Sequence, residues 1–200
     1  MKQLKDFRSL RLGGEVKRFI IAITGASGAI YAKRLFDYLQ HRAELHLVVS
    51  DRGWELVKLE LGINREYFKK SSVTIYRNSC MDVGIASGSF PADGMVIVPA
   101  SMGTIGRIAS GVSETVIERA ADVCLKERVK LVVVPRETPL STIHLRNLTL
   151  LDQAGALILP ASPGFYNKPQ GIGDLVDFVV ARILKQLGVD QDLIPSYKPE

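Results

Sequence analysis

Cysteine is scarce in this sequence. Cys80 and Cys124 are the only two in 200 residues, too few for the disulfide framework of a small secreted fold, and the expected setting is the reducing cytoplasm. No apolar run approaches the length of about twenty residues that crosses a bilayer. The N-terminus lacks the continuous apolar core of a secretory signal. His41, His46 and His144 are scattered, with no acid or cysteine at ligand spacing beside them, so no metal site is expected. No G-x-S-x-G elbow and no P-loop are present, which leaves a hydrolase triad and a nucleotide cradle of that type without support. No Asp-rich pair suggests a magnesium–diphosphate site.

The net charge of +5 could suggest a nucleic-acid partner, but its location argues otherwise. Residues 1–18 hold six basic and two acidic side chains, whereas the remaining 182 residues hold 20 basic and 19 acidic ones. The body is nearly neutral and shows no basic stripe with interleaved aromatics. We expect a basic extension over residues 1–17, one α/β domain over 18–190 and a short tail over 191–200. The length suits one such domain with a sizeable core.

What is present is organised around Phe19 to Leu39. Phe19–Ile23 is a short apolar run, the pattern of a strand buried on both faces. Thr24-Gly25-Ala26-Ser27-Gly28 is a turn of small residues. Ala29–Leu39 then has helical spacing, with Ile30, Leu35 and Leu39 apolar and Lys33, Arg34 and Asp37 polar. Strand, glycine turn and helix make a phosphate cradle, because the first N–H groups of a helix and its dipole face whatever lies above the strand. A dinucleotide fingerprint would need glycine where Ile23 stands, which leaves room for a single phosphate.

Strands and helices alternate onward. Glu44–Ser50 reads as a strand and the helix after it runs through Leu61. On that helix Gly53, Leu56, Val57 and Glu60 share a face, so Glu60 either has a partner or a wet cavity or sits at the rim of the helix face, and spacing alone does not choose between them. Val73–Tyr76 is a weak strand, 80–91 a small-residue loop and Gly94–Pro99 a buried strand. That strand runs into Ala100-Ser101-Met102-Gly103-Thr104, a second turn of small and hydroxyl-bearing residues on the same sheet edge. Ser113 is the expected N-cap of a helix reaching about Arg128. On that helix Arg119 and Lys126 lie two turns apart on a stripe with Val116, Ala120 and Val123, and Lys126 equally suits the helix C-terminal dipole. Cys124 reads as a small buried residue.

Lys130–Pro135 is a further strand, and Arg136 and Glu137 follow at its carboxyl end. They are either a surface ion pair or a phosphate clamp with a proton donor, and their position favours the second. Leu140–Ala154 is expected helical, Ala156–Pro160 a strand, 160–173 a lid or substrate loop, and Asp174–Leu187 the last helix. Arg182 sits there among Leu175, Phe178 and Val179, either facing a ligand or snorkelling to solvent. The expected architecture is a Rossmann-like three-layer α/β/α domain with a central, mostly parallel sheet. Phosphate-friendly turns, several inward cations and Tyr166 suit one or two phosphomonoesters with an apolar body between them.

Five strings also carry a resemblance: TGASGAIYAKRL (24–35), SMGT (101–104), IERAADVCLKER (117–128), VPRETPLSTIHLRN (134–147) and PGFYNKPQ (163–170). In order and over residues 18–188 the chain resembles the UbiX-type flavin prenyltransferases, formerly described as 3-octaprenyl-4-hydroxybenzoate carboxy-lyases. The resemblance implies transfer of the dimethylallyl group of dimethylallyl monophosphate to reduced FMN, closing a fourth ring across flavin N5 and C6 without a metal. It implies a homododecamer with active sites at subunit interfaces, and hand-over of prenylated FMN to a UbiD-type decarboxylase. Gly25, Ala26 and Ser27 resemble the family's flavin loop, with Ser27 near N5. Ser50, Ser101, Met102, Gly103, Thr104 and Arg136 resemble further FMN contacts. Lys126, Glu137, Tyr166 and Arg182 resemble the prenyl-phosphate pocket, with Glu137 protonating the departing phosphate, and Glu60 and Arg119 match charged positions that close the site. Some members carry an aromatic residue where this chain reads Cys80-Met81-Asp82.

Two other readings compete. A flavin-dependent cysteine decarboxylase of the same broad fold would use a His near Tyr31 and Lys33 and an Asn in the loop where SMGT stands, and this chain has neither. A non-catalytic flavin carrier is usually strongly acidic and would have no use for Glu137.

Overall fold

The apolar runs become strands because helices cover both of their faces. In the computed structural model, which describes residues 11–12 and 15–195, six strands form one parallel sheet. They are β3 (Arg18–Ile23), β4 (Glu44–Val49), β5 (Val73–Arg77), β6 (Gly94–Ala100), β7 (Leu131–Pro135) and β8 (Leu157–Ile158). Two short strands before them, β1 (Arg11–Leu12) and β2 (Glu15–Val16), pair antiparallel with each other. The spatial order of the large sheet is β5-β4-β3-β6-β7-β8, and every pairing in it is parallel.

Alternate residues of each central strand face opposite layers. Phe19, Ile21 and Ile23 of β3 pack with Val96 and Val98 of β6 against α1 (Ala29–Leu39), α2 (Asp51–Leu61) and α6 (Ile172–Gln186). Ile20, Ala22, Met95 and Ile97 pack the other way, against α3 (Met102–Ala109), α4 (Val116–Lys126) and α5 (Thr142–Gln153). This is the expected three-layer α/β/α arrangement.

Several boundaries differ from the sequence reading. Thr115, not Ser113, is the N-cap of α4, and the Glu118 side chain accepts from its backbone N–H at 3.0 Å. Helix α5 starts two residues later than expected, capped by the Ser141 hydroxyl, and α6 starts two residues earlier. The last strand shrinks to Leu157–Ile158 because it lies at the sheet edge with a partner on one side only.

The chain starts the sheet at β3, moves outward through β4 and β5, then returns to lay β6 on the other side of β3. The helices that follow these two strands, α1 and α3, therefore lie in opposite layers, and such a switch point opens a crevice between the turns that lead into them. Those turns are 24–28 and 101–104. Elsewhere, Lys17 is buried and donates from Nζ to Gly188 O at 2.9 Å, unlike the solvated basic side chain expected there. Tyr38 Oη donates to Asp190 O and Asp192 Oδ1, each 3.1 Å away, and this holds the segment after α6 against α1.

Candidate active site

Thr24 joins the two turns. Its hydroxyl is buried, donates to Pro99 O at 2.9 Å and accepts from Ser101 N at 2.7 Å. A hydroxyl can do both at once through a single oxygen, which an ionised carboxylate cannot. Ser50 N donates to Ile23 O at 3.0 Å, so the end of β4 is tied to the same place. The Ser50 and Ser101 hydroxyls cap α2 and α3, accepting from Gly53 N at 3.0 Å and Thr104 N at 3.3 Å. Met102 and Thr104 are buried beneath the second turn, while Gly103 is exposed at its crest.

Gly25 is needed where it stands. A Cβ there would lie 2.7 Å from Arg52 Cγ, whose side chain crosses the turn. Gly28 adopts φ 112° as the N-cap of α1, a left-handed conformation that glycine takes without strain. Ala26 is buried and Ser27 exposed. Arg136, half-buried at the end of β7, donates from Nε to Ser27 O at 3.1 Å. A residue 109 positions away thus reaches the first turn and brings a cation to it. Burial raises the Tyr31 phenol above its ordinary value, and the nearby Arg136 charge opposes the rise.

Glu60 corrects the expected phosphate cradle. Its carboxylate accepts from Gly28 N at 3.0 Å and from Ala29 N at 2.8 Å, so the positive end of α1 already holds an anion from this chain. Of the two readings open to Glu60, the structure shows the partnered one, and the partner is the backbone of α1.

A second group lies beside the 84–89 loop. Arg119 donates from Nε to Ala86 O at 3.2 Å and from Nη1 to Asp122 Oδ2 at 2.7 Å. Lys126 pairs with Glu127, and its Nζ stands 2.8 Å from where a Cβ on Gly88 would be. The shared helical face thus does bring both cations to one loop. Glu137 is exposed, and its Oε1 accepts from Thr138 N at 3.1 Å.

Tyr166 and Arg182 form a third group. Arg182 Nη2 donates to Tyr166 Oη at 3.0 Å, and its guanidinium lies 5.3 Å from the centre of the Phe178 ring. They line a cleft of about 460 Å³ together with Lys185, Asp190 and Gln191. Neither Lys126 nor Glu137 lines that cleft.

Three residues of the site region escaped the sequence reading. Thr24 looked like a mere turn residue, although a hydroxyl directly after a buried strand is a signal. Arg107 and Glu118 form an ion pair between α3 and α4. Glu118 lies off the apolar stripe of Arg119, and its signal was the Thr115-x-x-Glu118 spacing of a capping box.

The small-residue turns, exposed Ser27 and Gly103, a set of hydroxyls and the Arg136 cation fit a flavin: a flat ring seated against backbone, with donors for its ring oxygens and phosphate. Among the described residues no three His, Cys, Asp or Glu side chains gather as a metal site, and no helix is long and apolar enough to cross a membrane.

The fold and turns define a flavin-binding α/β protein, and the family model described as Flavoprotein matches residues 10–184. The flavin prenyltransferase UbiX of Methanocaldococcus jannaschii is 45% identical over 180 residues, covering 90% of this chain and 98% of the relative. A solved structure of AnUbiX (PadA1) in complex with FMN and dimethylallyl pyrophosphate superposes with a TM-score of 0.88 at 39% identity, covering 92% of this chain and 98% of that one. A dodecameric FMN-dependent UbiX-like decarboxylase from Escherichia coli O157:H7 superposes with a TM-score of 0.87 at 37% identity, covering 91% and 100%. This chain belongs to the UbiX family of flavin prenyltransferases.

Proposed function

We propose that this chain transfers the dimethylallyl group of dimethylallyl monophosphate to reduced FMN and releases phosphate. The observation that carries the reading is the crevice at the switch point. There Thr24 locks two small-residue turns together and Arg136 reaches across to Ser27 O. Its relatives bear the same activity in their names, and identity at this level favours it over the cysteine decarboxylase and the carrier.

Reduced FMN supplies the nucleophilic N5 and C6 positions. Gly25, Ala26 and Ser27 would hold its ring, with Ser27 assigned to the reacting nitrogen, and Ser50, Ser101, Met102, Gly103, Thr104 and Arg136 would complete the flavin contacts. Lys126 and Arg182 offset charge on the donor phosphate, which grows as its C–O bond breaks, and Tyr166 donates to it. Glu137, exposed at the strand end, delivers the proton that lets phosphate leave. Glu60 holds the first turn in place through Gly28 N and Ala29 N, and Arg119 holds the 84–89 loop. The separation of the Tyr166–Arg182 pair from Lys126 and Glu137 supports a site completed between subunits, with a homododecamer as the assembly. Residues 18–190 would form the flavin-binding unit, flanked by the basic extension 1–17 and the tail 191–200. The product would pass to a UbiD-type decarboxylase in the cytoplasm.

The test is anaerobic incubation with reduced FMN and dimethylallyl monophosphate, then mass analysis of the extracted flavin. A gain of one prenyl unit is expected, lost in Glu137→Gln with FMN still bound. Bound FMN that is never prenylated by either the mono- or the diphosphate donor overturns the reading.

A further inference from the structure

Glu118 is a carboxylate with 1% exposure in the first turn of α4. One of its oxygens accepts from Glu114 N and Thr115 N, each at 3.0 Å. Capping the helix needs no more than that. The other oxygen engages Arg107 Nε across the gap between α3 and α4. Arg107 is half-exposed and would be well solvated without this partner.

The bond fixes where the rest of the guanidinium lies. Its Nη2 stands 3.4 Å from Thr104 Oγ1, and its Nη1 stands 3.6 Å from where a Cβ on Gly103 would be. Thr104 Oγ1 is in turn 3.0 Å from Ser101 Oγ, a pair in which either hydroxyl can donate. Arg107 can only donate. Donation by Arg107 occupies one of the two lone pairs of Thr104 Oγ1 and so favours the arrangement in which the threonine proton is directed at Ser101 Oγ, which leaves the serine proton to point into the crevice. Without Arg107 the pair can reverse, and Ser101 then presents an acceptor.

Resting on the flavin reading above, we propose that Arg107, held by Glu118, is a positioning residue that sets the direction of the Ser101–Thr104 hydrogen bond so that Ser101 offers its O–H to an acceptor atom of FMN. The two residues do not touch the reacting atoms. They act through Thr104.

FMN affinity of the full chain, read by fluorescence quenching, tests this together with the melting temperature of the flavin-free protein. Arg107→Met should raise the FMN Kd about fivefold, the size of one lost hydrogen bond, and should melt below the wild type because the buried Glu118 carboxylate loses its partner, so the Kd is read at a temperature where both proteins are folded. In a Thr104→Val background Ser101 has no hydroxyl partner to reverse with, so adding Arg107→Met should change the Kd less than about twofold, within the additivity error of independent sites. An equal loss in both backgrounds overturns the relay, as does an unchanged Kd in Arg107→Met when the wild type binds FMN. A wild type that binds no FMN overturns this inference and the flavin reading together.

Discussion

Replacing Thr24 by Val keeps the shape of the side chain and removes the hydroxyl that ties the two turns. The wild-type hydroxyl makes two bonds, to Pro99 O at 2.9 Å and from Ser101 N at 2.7 Å. Pro99 O keeps a second donor after the change, since Thr24 N lies 3.2 Å from it. Ser101 N loses its acceptor at a half-buried position. Leaving a buried donor unsatisfied costs about 1–3 kcal/mol, so we take about 2 kcal/mol. For a chain of this length each kcal/mol moves the melting temperature by about 2–4 °C, which places the expected drop at about 4–8 °C. The turns would also lose their fixed spacing, so FMN should bind less tightly. Thr24→Ser retains both bonds and loses one methyl group, a cost of about 1 kcal/mol. It should therefore melt nearer the wild type and keep wild-type FMN affinity. Calorimetry and a flavin titration on the three proteins decide the matter. A Thr24→Val protein as stable as the wild type, with equal FMN affinity, would refute the claim that this hydroxyl builds the crevice.

Acid should weaken the contact between α3 and α4. Burial alone would raise the Glu118 carboxyl, but the Arg107 bond and the N–H groups of Thr115 and Glu114 outweigh it and hold the group below the ordinary glutamate value of 4.5. A group depressed in the folded state stabilises above its unfolded pKa and loses that contribution as pH falls through its folded pKa. Stability should thus decline below about pH 4.5, and the decline should be shallower in Glu118→Gln when measured by urea unfolding across that range. Burial also pushes the Cys124 thiol up to about 12. A thiol-specific reagent at neutral pH should leave Cys124 unmodified in the native protein and modify it after denaturation; rapid native labelling mapped to Cys124 would contradict its burial.

The architecture was legible in the sequence because buried parallel strands must be apolar on both faces. Phe19–Ile23, Gly94–Pro99 and Lys130–Pro135 could be little else, and the small residues of 24–28 and 101–104 marked the turns after two of them. Local pattern also put Arg119 and Lys126 on one helical face, and both do meet the 84–89 loop. Contacts between distant segments were decided by the tertiary structure alone. Nothing in the spacing of Glu60 says that its carboxylate closes the α1 N-terminus and takes the N–H groups expected for a phosphate. Nothing near Arg136 says that it spans to Ser27, or near Arg107 that it meets Glu118. The physical reason is one of range. Periodicity and turn chemistry act within a few residues and select each element, whereas an ion pair or a hydroxyl bridge depends on which strand order brings two turns side by side.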